Sequence, residues 1–207
     1  MVRTAIISDI HGHWDGLKIV CDHINTMQVD RIICLGDVVE GGDYNDQVVT
    51  FLKTNNILTI RGNHDDYNNC DLQPDNFQWL QKLPTTFVEE SIVFTHISPR
   101  KTPKRVSTSI EAWNIFDETE YRFIFIGHNH FPALFSADCD EYANSTSHFV
   151  DVGCYSLDPR NRYVICFGAV GYPRGGGWFL RYGIFDDEAQ TVEFIKIPGL
   201  LLPYGYP

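Results

Sequence analysis

Five short apolar runs in this chain each finish on a residue suited to metal binding. "TAIISD" (4–9), "RIICLGD" (31–37), "ILTIRGN" (57–63), "SIVFTH" (91–96) and "RFIFIGH" (122–128) end at Asp9, Asp37, Asn63, His96 and His128. Apolar residues at consecutive rather than alternate positions suit strands buried on both faces. Between the first two runs, Leu17, Cys21, Ile24 and Met27 recur at helical spacing, which predicts an amphipathic helix from Trp14 to Met27. A second helix is predicted over about 45–55, with Val48, Val49, Phe51 and Leu52 as its apolar face. The order β-α-β-α-β implies parallel strands joined by right-handed crossovers. Ligands of such sheets gather at the carboxyl ends of the strands, where these five residues lie.

A helix is predicted around Ile110–Phe116. From Pro132 onward "ALFSA", "SHFVDVG", "RYVICFG", "FLRYGIFD" and "TVEFIKI" read as closely spaced strands, with turn signals at "DPRN" and "PRGGG". The expected fold class is α/β, a four-layer αββα sandwich of two mixed sheets packed face to face with helices outside. No linker or low-complexity segment divides the 207 residues, so one domain spanning 1–207 is expected. The segment 137–162 reads as an inserted hairpin, and the tail "LLLPYGYP" as packing.

The ligand inventory extends beyond the strand ends. His11 follows Asp9 by two residues and His130 follows His128 by two, a spacing that returns side chains to one face of an extended segment. Two carboxylates, four imidazoles (His11, His96, His128, His130) and the Asn63 amide exceed what one ion uses. They suit two ions if one carboxylate bridges. Nitrogen and oxygen donors without thiolate favour Mn²⁺ first, with Fe, Zn²⁺ or Ni²⁺ as alternatives. Two such ions form the clamp used for displacement at phosphorus, and against Asp9 and Asp37 they leave a local charge of about +2. That matters because the chain carries a net charge of −11. Such a balance excludes a nucleic-acid duplex or an anionic membrane as main partner, but not a small phosphorylated substrate.

Taken in order, Asp9-Ile-His11, Gly36-Asp37, Gly62-Asn63-His64-Asp65, His96 and Gly127-His128-Asn129-His130 resemble the full signature of the calcineurin-like metallophosphoesterases. The likeness is to the small prokaryotic branch of phosphodiesterases and diadenosine-polyphosphate hydrolases, and "SDIHGHWDGL", "GAVGYPRGG" and "RYGIFD" extend it over nearly the whole chain. The resemblance implies one metal on Asp9, His11 and His130, another on Asn63, His96 and His128, and Asp37 bridging. It implies a bridging hydroxide as nucleophile, His64 as transition-state stabiliser or acid, and Asp65 orienting His64 through its other ring nitrogen. Arg61 either contacts substrate phosphate or pairs with an acid, and Arg174 in "GYPRGG" reads as a turn residue. "GDVVEGG" departs from the branch at Glu40-Gly41-Gly42, and the arginine of protein serine/threonine phosphatases is missing after Asp37. The alternatives are a phosphomonoesterase or protein phosphatase, or a non-catalytic scaffold of the kind found in the retromer coat.

The remaining features imply less. Six cysteines form no C-x-x-C pair, and Cys34 and Cys166 sit in apolar runs, so a reduced, cytoplasmic protein is expected. Neither a secretion signal nor a membrane span is apparent, and the Asn144-Ser145-Thr146 sequon is read as chance. His13, His23 and His148 are expected on the surface or on helices. A homo-oligomer is consistent with the relatives.

Overall fold

The computed structural model describes residues 2–66, 68–172, 174 and 178–199. The strands are β1 (Arg3–Ile7), β2 (Arg31–Cys34), β3 (Leu58–Thr59), β4 (Thr86–Glu89), β5 (Ile92–Thr95), β6 (Phe123–Ile126), β7 (Pro132–Ser136), β8 (Thr146–His148), β9 (Gly153–Ser156), β10 (Tyr163–Phe167), β11 (Phe179–Asp186) and β12 (Thr191–Pro198). The helices are α1 (Trp14–Ile24), α2 (Asn45–Thr54), α3 (Asn63–Asp66), α4 (Pro74–Gln81) and α5 (Ser109–Glu118). Two six-stranded mixed sheets result, ordered β3-β2-β1-β11-β12-β9 and β4-β5-β6-β10-β7-β8. The parallel pairs are β1/β2, β2/β3, β5/β6 and β6/β10.

Alternation along the strands builds the layers. In β6, Phe123 and Phe125 enter the core between the sheets, where Ile6, Ile33, Phe94, Phe167 and Phe194 meet them. Ile124 and Ile126 of the same strand face the other way, against Ala112, Ile115 and Phe116 of α5. On the first sheet, Ala5 and Ile7 pack under Leu17, Val20 and Ile24 of α1 and Val48, Val49 and Leu52 of α2. Both faces of the central strands are therefore dry, which is why those runs carry no polar alternation. The four-layer αββα arrangement is as the sequence implies.

Several boundaries differ. Helix α1 stops at Ile24, and the chain turns back through Thr26 N–H to the His23 carbonyl, 2.9 Å. Strand β3 keeps only two of the seven residues in its apolar run. Helix α4 and edge strand β4 had no sequence counterpart. The run "SHFVDVG" divides: β8 returns on β7, and β9 pairs with β12 in the other sheet. The segment 137–162 is therefore a hairpin arm followed by a crossing between sheets. The tail 200–207 lies outside the described residues.

Candidate metal centre

The carboxyl ends of β1, β2, β3, β5 and β6 meet at one edge of the sandwich. Asp9, His11, Asp37 and His130 present donor atoms that all lie within 4.8 Å of one another, and Asp37, His96 and His128 do the same. Asp37 belongs to both groups. Among the described residues Asn63, one residue past the β3 loop, buries its Oδ1 without a hydrogen-bond partner, as does Asp9 its Oδ2, while the buried Asp37 Oδ2 and His96 Nε2 have only each other, at 3.0 Å. Buried polar atoms normally find partners, since an orphan costs about 1–3 kcal/mol. Two orphans and a buried His96–Asp37 pair within the predicted ligand set match the chemistry of a cation site, so the residues present fit a pair of ions.

The local fold fixes the protonation of the ligands. His11, His96 and His130 each donate from Nδ1 to a backbone carbonyl, of Glu40 (2.8 Å), Leu35 (2.7 Å) and Tyr172 (2.7 Å). With Nδ1 carrying the hydrogen, the Nε2 lone pair is left for a ligand bond. The two carboxylates each use one oxygen on a backbone N–H of another ligand-bearing segment. Asp37 Oδ1 accepts from His64 N (2.9 Å) and Asp9 Oδ1 from His128 N (3.1 Å). The close contacts are His96 Nε2 to Asp37 Oδ2, 3.0 Å, and His130 Nε2 to Asp9 Oδ1, 3.2 Å.

Electrostatics follow from this packing. Burial opposes ionisation of Asp9 and Asp37, yet the imidazoles around them (His130 first for Asp9, His96 first for Asp37) hold both below the usual carboxylate range. Burial lowers His11 and His128, keeping them neutral. His96 is the exception: burial would lower it, but the adjacent Asp37, with Asp9 behind, pushes it up to about 9. A metal taking His96 Nε2 displaces that proton.

Glycines allow the segments to approach. A Cβ on Gly62 would stand 2.2 Å from Asp37 Oδ1 and 2.3 Å from the Asp37 backbone nitrogen, and one on Gly127 would stand 2.1 Å from Ser8 Oγ.

Asp65 is placed differently from expectation: its carboxylate turns away from the His64 ring. It is fully buried, and its carboxylate accepts from Val38 N (2.8 Å), Val39 N (3.2 Å) and Gly62 N (2.8 Å). Burial pushes Asp65 up to about 6 against the pull of those N–H donors. The carboxylate on His64 Nδ1 is that of Glu40, while His64 Nε2 lies 4.0 Å from Asp37 Oδ2. Arg61 pairs with an acid: its Nε is 2.8 Å from Asp66 Oδ1 and its Nη1 donates to the Gln81 carbonyl at 2.6 Å.

Sequence reasoning passed over Glu40, whose signal was a carboxylate directly before Gly41-Gly42 in the loop of Asp37. It also passed over Tyr172, whose ring lies 5.0 Å from His11 and stacks at 21° on His130. Of the other histidines, His13 is buried and caps α1, accepting from Gly16 N. His23 Nδ1 meets Tyr182 Oη at 2.8 Å, and His148 Nε2 meets Ser136 Oγ at 2.7 Å. Arg174 donates its backbone N–H to the His130 carbonyl at 3.2 Å.

Two mixed sheets with a histidine–aspartate cluster at their carboxyl edge define a metallophosphoesterase architecture. Residues 2–173 match the calcineurin-like phosphoesterase superfamily domain, and the chain belongs to that superfamily. It is 29% identical to an uncharacterized protein of Methanocaldococcus jannaschii, over 93% of this chain and 86% of the relative. A crystal structure of a metallophosphoesterase from Sphaerobacter thermophilus superposes with a TM-score of 0.84 at 28% identity, covering 96% of this chain and 89% of that one. An archaeal phosphodiesterase shares the fold at a TM-score of 0.54 and 18% identity, over 94% of this chain and 99% of its own. No helix among the described residues is long and apolar enough to cross a membrane.

Proposed function

We propose that this chain is a dinuclear-metal phosphoesterase that hydrolyses phosphodiester or phosphoanhydride bonds of small substrates, diadenosine polyphosphates among them. The observation that carries the reading is the sharing of Asp37 between two ligand groups. Asp9, His11 and His130 would hold one ion, Asn63, His96 and His128 the other, with Asp37 between them and Mn²⁺ the first choice of metal. Two such ions, when bound, supply Lewis-acid polarisation of the phosphoryl oxygens and activation of water near neutral pH.

The chain's own side chains do the rest. His64 is not a member of either ligand group, and its partly exposed ring presents Nε2 toward the cluster. It is the residue placed to protonate the leaving oxygen, which general-acid catalysis requires within hydrogen-bond reach. Glu40, on the opposite ring nitrogen, accepts the Nδ1 hydrogen bond and fixes the ring's orientation, so the form that donates from Nε2 is the imidazolium. Asp65 ties the loop of Asp37 to the loop of Asn63 and is a positioning residue. A scaffold of the same fold has no use for His64 or for a buried cluster of imidazoles and carboxylates with unpartnered oxygens on Asn63 and Asp9, which weighs against the non-catalytic reading.

Turnover by the Mn²⁺-reconstituted protein on a diadenosine polyphosphate, a bis-aryl phosphodiester and an aryl monophosphate, measured side by side, tests the proposal. Hydrolysis of either of the first two in preference to the monoester is expected. Preference for the monoester would replace the reading by a phosphomonoesterase. No turnover with metal bound would overturn it in favour of a scaffold.

A further inference from the structure

The charge of this chain is distributed unevenly. Between Glu90 and Glu111 there is no acidic residue, while Arg100, Lys101, Lys104 and Arg105 fall within six positions. In a protein of net charge −11 such a window is unusual, and the fold places it against the metal centre. The loop starts at His96, a candidate ligand. Its other end is tied down where Asn129 Nδ2 donates to the Val106 carbonyl, and Asn129 stands between His128 and His130.

The loop is built rather than slack. Lys104 N donates to the buried Ser98 Oγ at 3.0 Å, closing residues 98–104 into a tight turn that contains Pro99 and Pro103. Arg100 reaches α5, where Nε and Nη2 lie 2.8 and 2.5 Å from Glu118 Oε1, leaving Nη1 without a bond among the described residues. Lys104 and Arg105 are exposed and have no acidic partner among the described residues.

This loop also walls a cavity of about 360 Å³, a volume within the range of small-ligand sites. Asn63 and His96 line it from the metal centre, Arg61 and Asp66 from the α3 side, and Ser98 and Arg100 from the loop, with threonine hydroxyls of the β4–β5 pair. Each guanidinium already has a carboxylate, Arg61 with Asp66 and Arg100 with Glu118, and the surplus of positive charge comes from Lys101, Lys104 and Arg105 on the loop; with the threonine hydroxyls this suits an anionic oxygen-rich group rather than a planar base.

Building on the hydrolase reading above, we infer that the cavity beside Asn63 and His96, with Arg100 on its wall and Arg105 two residues beyond the lining Pro103, is a subsite for a second phosphate of the substrate. It selects molecules whose phosphates continue beyond the bond being cleaved over simple monoanionic diesters. Arg100 and Arg105 are specificity residues and leave the chemistry at the metals alone.

The test compares kcat/KM for a dinucleoside tetraphosphate and a bis-aryl phosphodiester in Arg100→Gln, Arg105→Ala and Glu118→Gln, with Mn²⁺ in excess over the polyphosphate. Arg100→Gln should lower kcat/KM for the tetraphosphate about tenfold, the size of one charge-assisted contact. Arg105→Ala should lower it several-fold. The bis-aryl diester should stay within about twofold of wild type in both. Glu118→Gln breaks the same ion pair but keeps the Arg100 charge, and should leave the tetraphosphate constant unchanged or improved. Equal losses on both substrates, losses in Glu118→Gln matching those in Arg100→Gln, or no loss at all would overturn the subsite.

Calorimetric binding of inorganic tripolyphosphate under the same metal excess separates this proposal from the hydrolase reading. A roughly tenfold weaker affinity in Arg100→Gln than in wild type upholds the subsite even if neither ester is hydrolysed. Equal affinity overturns it even if both are.

Discussion

The tightest constraint on the metal centre is steric, and Gly127 exposes it to test. This residue sits between Ile126 at the end of β6 and the ligand His128. A methyl group there would lie 2.1 Å from Ser8 Oγ and 3.1 Å from both Asp9 Oδ2 and His96 Nδ1. The first distance falls more than 1 Å short of ordinary contact, and the other two by a few tenths. Ser8 is buried, and its hydroxyl has no hydrogen-bond partner among the described residues, so the clash is relieved by moving a short side chain or the strand that carries Asp9. Overpacking of this kind costs about 1–3 kcal/mol, which at roughly 2–4 °C per kcal/mol for a chain of this size predicts a Tm lowered by about 2–12 °C. Because Asp9 and His96 are displaced in the same step, metal affinity should fall on the order of 10- to 100-fold, as for other disturbances of ligand support. Thermal unfolding of the metal-free Gly127→Ala variant measures the first effect, and Mn²⁺ titration the second. Adding Ser8→Ala removes the worst contact and no hydrogen bond, so the double variant should regain most of the lost Tm, a favourable coupling between two touching sites. A Gly127→Ala protein with wild-type Tm and metal affinity, or a double variant no better than the single, would refute the steric reasoning.

Glu40→Gln should keep full metal content and lower kcat about 10- to 100-fold on a substrate with a poor leaving group, and much less on an aryl ester that needs little protonation. Wild-type kcat on both would sink the Glu40–His64 pairing as a catalytic unit. Asp37→Ala should reduce bound metal from about two ions per chain to less than one, because it takes a ligand from each group; a variant that still holds two would remove Asp37 as the bridge. Asp151 is held below the usual carboxylate range by Arg181 first and then Lys196. A depressed folded-state pKa contributes stability above the unfolded value near 3.9 that is lost as pH falls through the folded one. Urea midpoints of wild type and Asp151→Asn should therefore differ at pH 6 and converge as the pH falls below the unfolded value, and curves that stay parallel would contradict the assignment.

The fold was legible because burial on both faces leaves a strong mark. Runs such as Phe123–Ile126 must be apolar throughout when alternate residues enter different cores, and they stop where the sheet edge opens. Helix α4 left no such mark. Phe77 is 47% exposed while Asn76 is buried, so its apolar residues do not mark one face. Strand β4 is a four-residue edge strand alternating exposed Thr86 and Val88 with half-buried Phe87 and Glu89. The misplaced role of Asp65 has an equally local cause. Residues 63–66 turn as helix α3, and neighbours on a helix do not face one another. Adjacency in "NHDD" therefore separates His64 from Asp65, and a carboxylate 24 positions earlier reaches the ring instead.

The backbone itself argues that the cluster is a site and not a set of caps. Asp9, His11, Asp37, Glu40, His128 and His130 all have positive φ, between 51° and 70°. The left-handed region costs an L-residue about 1–2 kcal/mol, so these six together oppose folding by roughly 6–12 kcal/mol, comparable to the whole net stability of a typical domain. Glycine would relieve most of that, and this chain does use glycine in the left-handed region beside them, at Gly12 and Gly36. The strain is tolerated because neighbouring loops hold each other by backbone hydrogen bonds, Asp9 N to Gly36 O at 3.0 Å, His11 N to Asp37 O at 2.9 Å and Gly171 N to Asp9 O at 2.8 Å. A sequence that served stability alone would not keep imidazoles and carboxylates where glycine is easier. Strain that persists on ligand-type side chains, with their donor atoms converging and partly unpartnered, points to a function that needs those side chains.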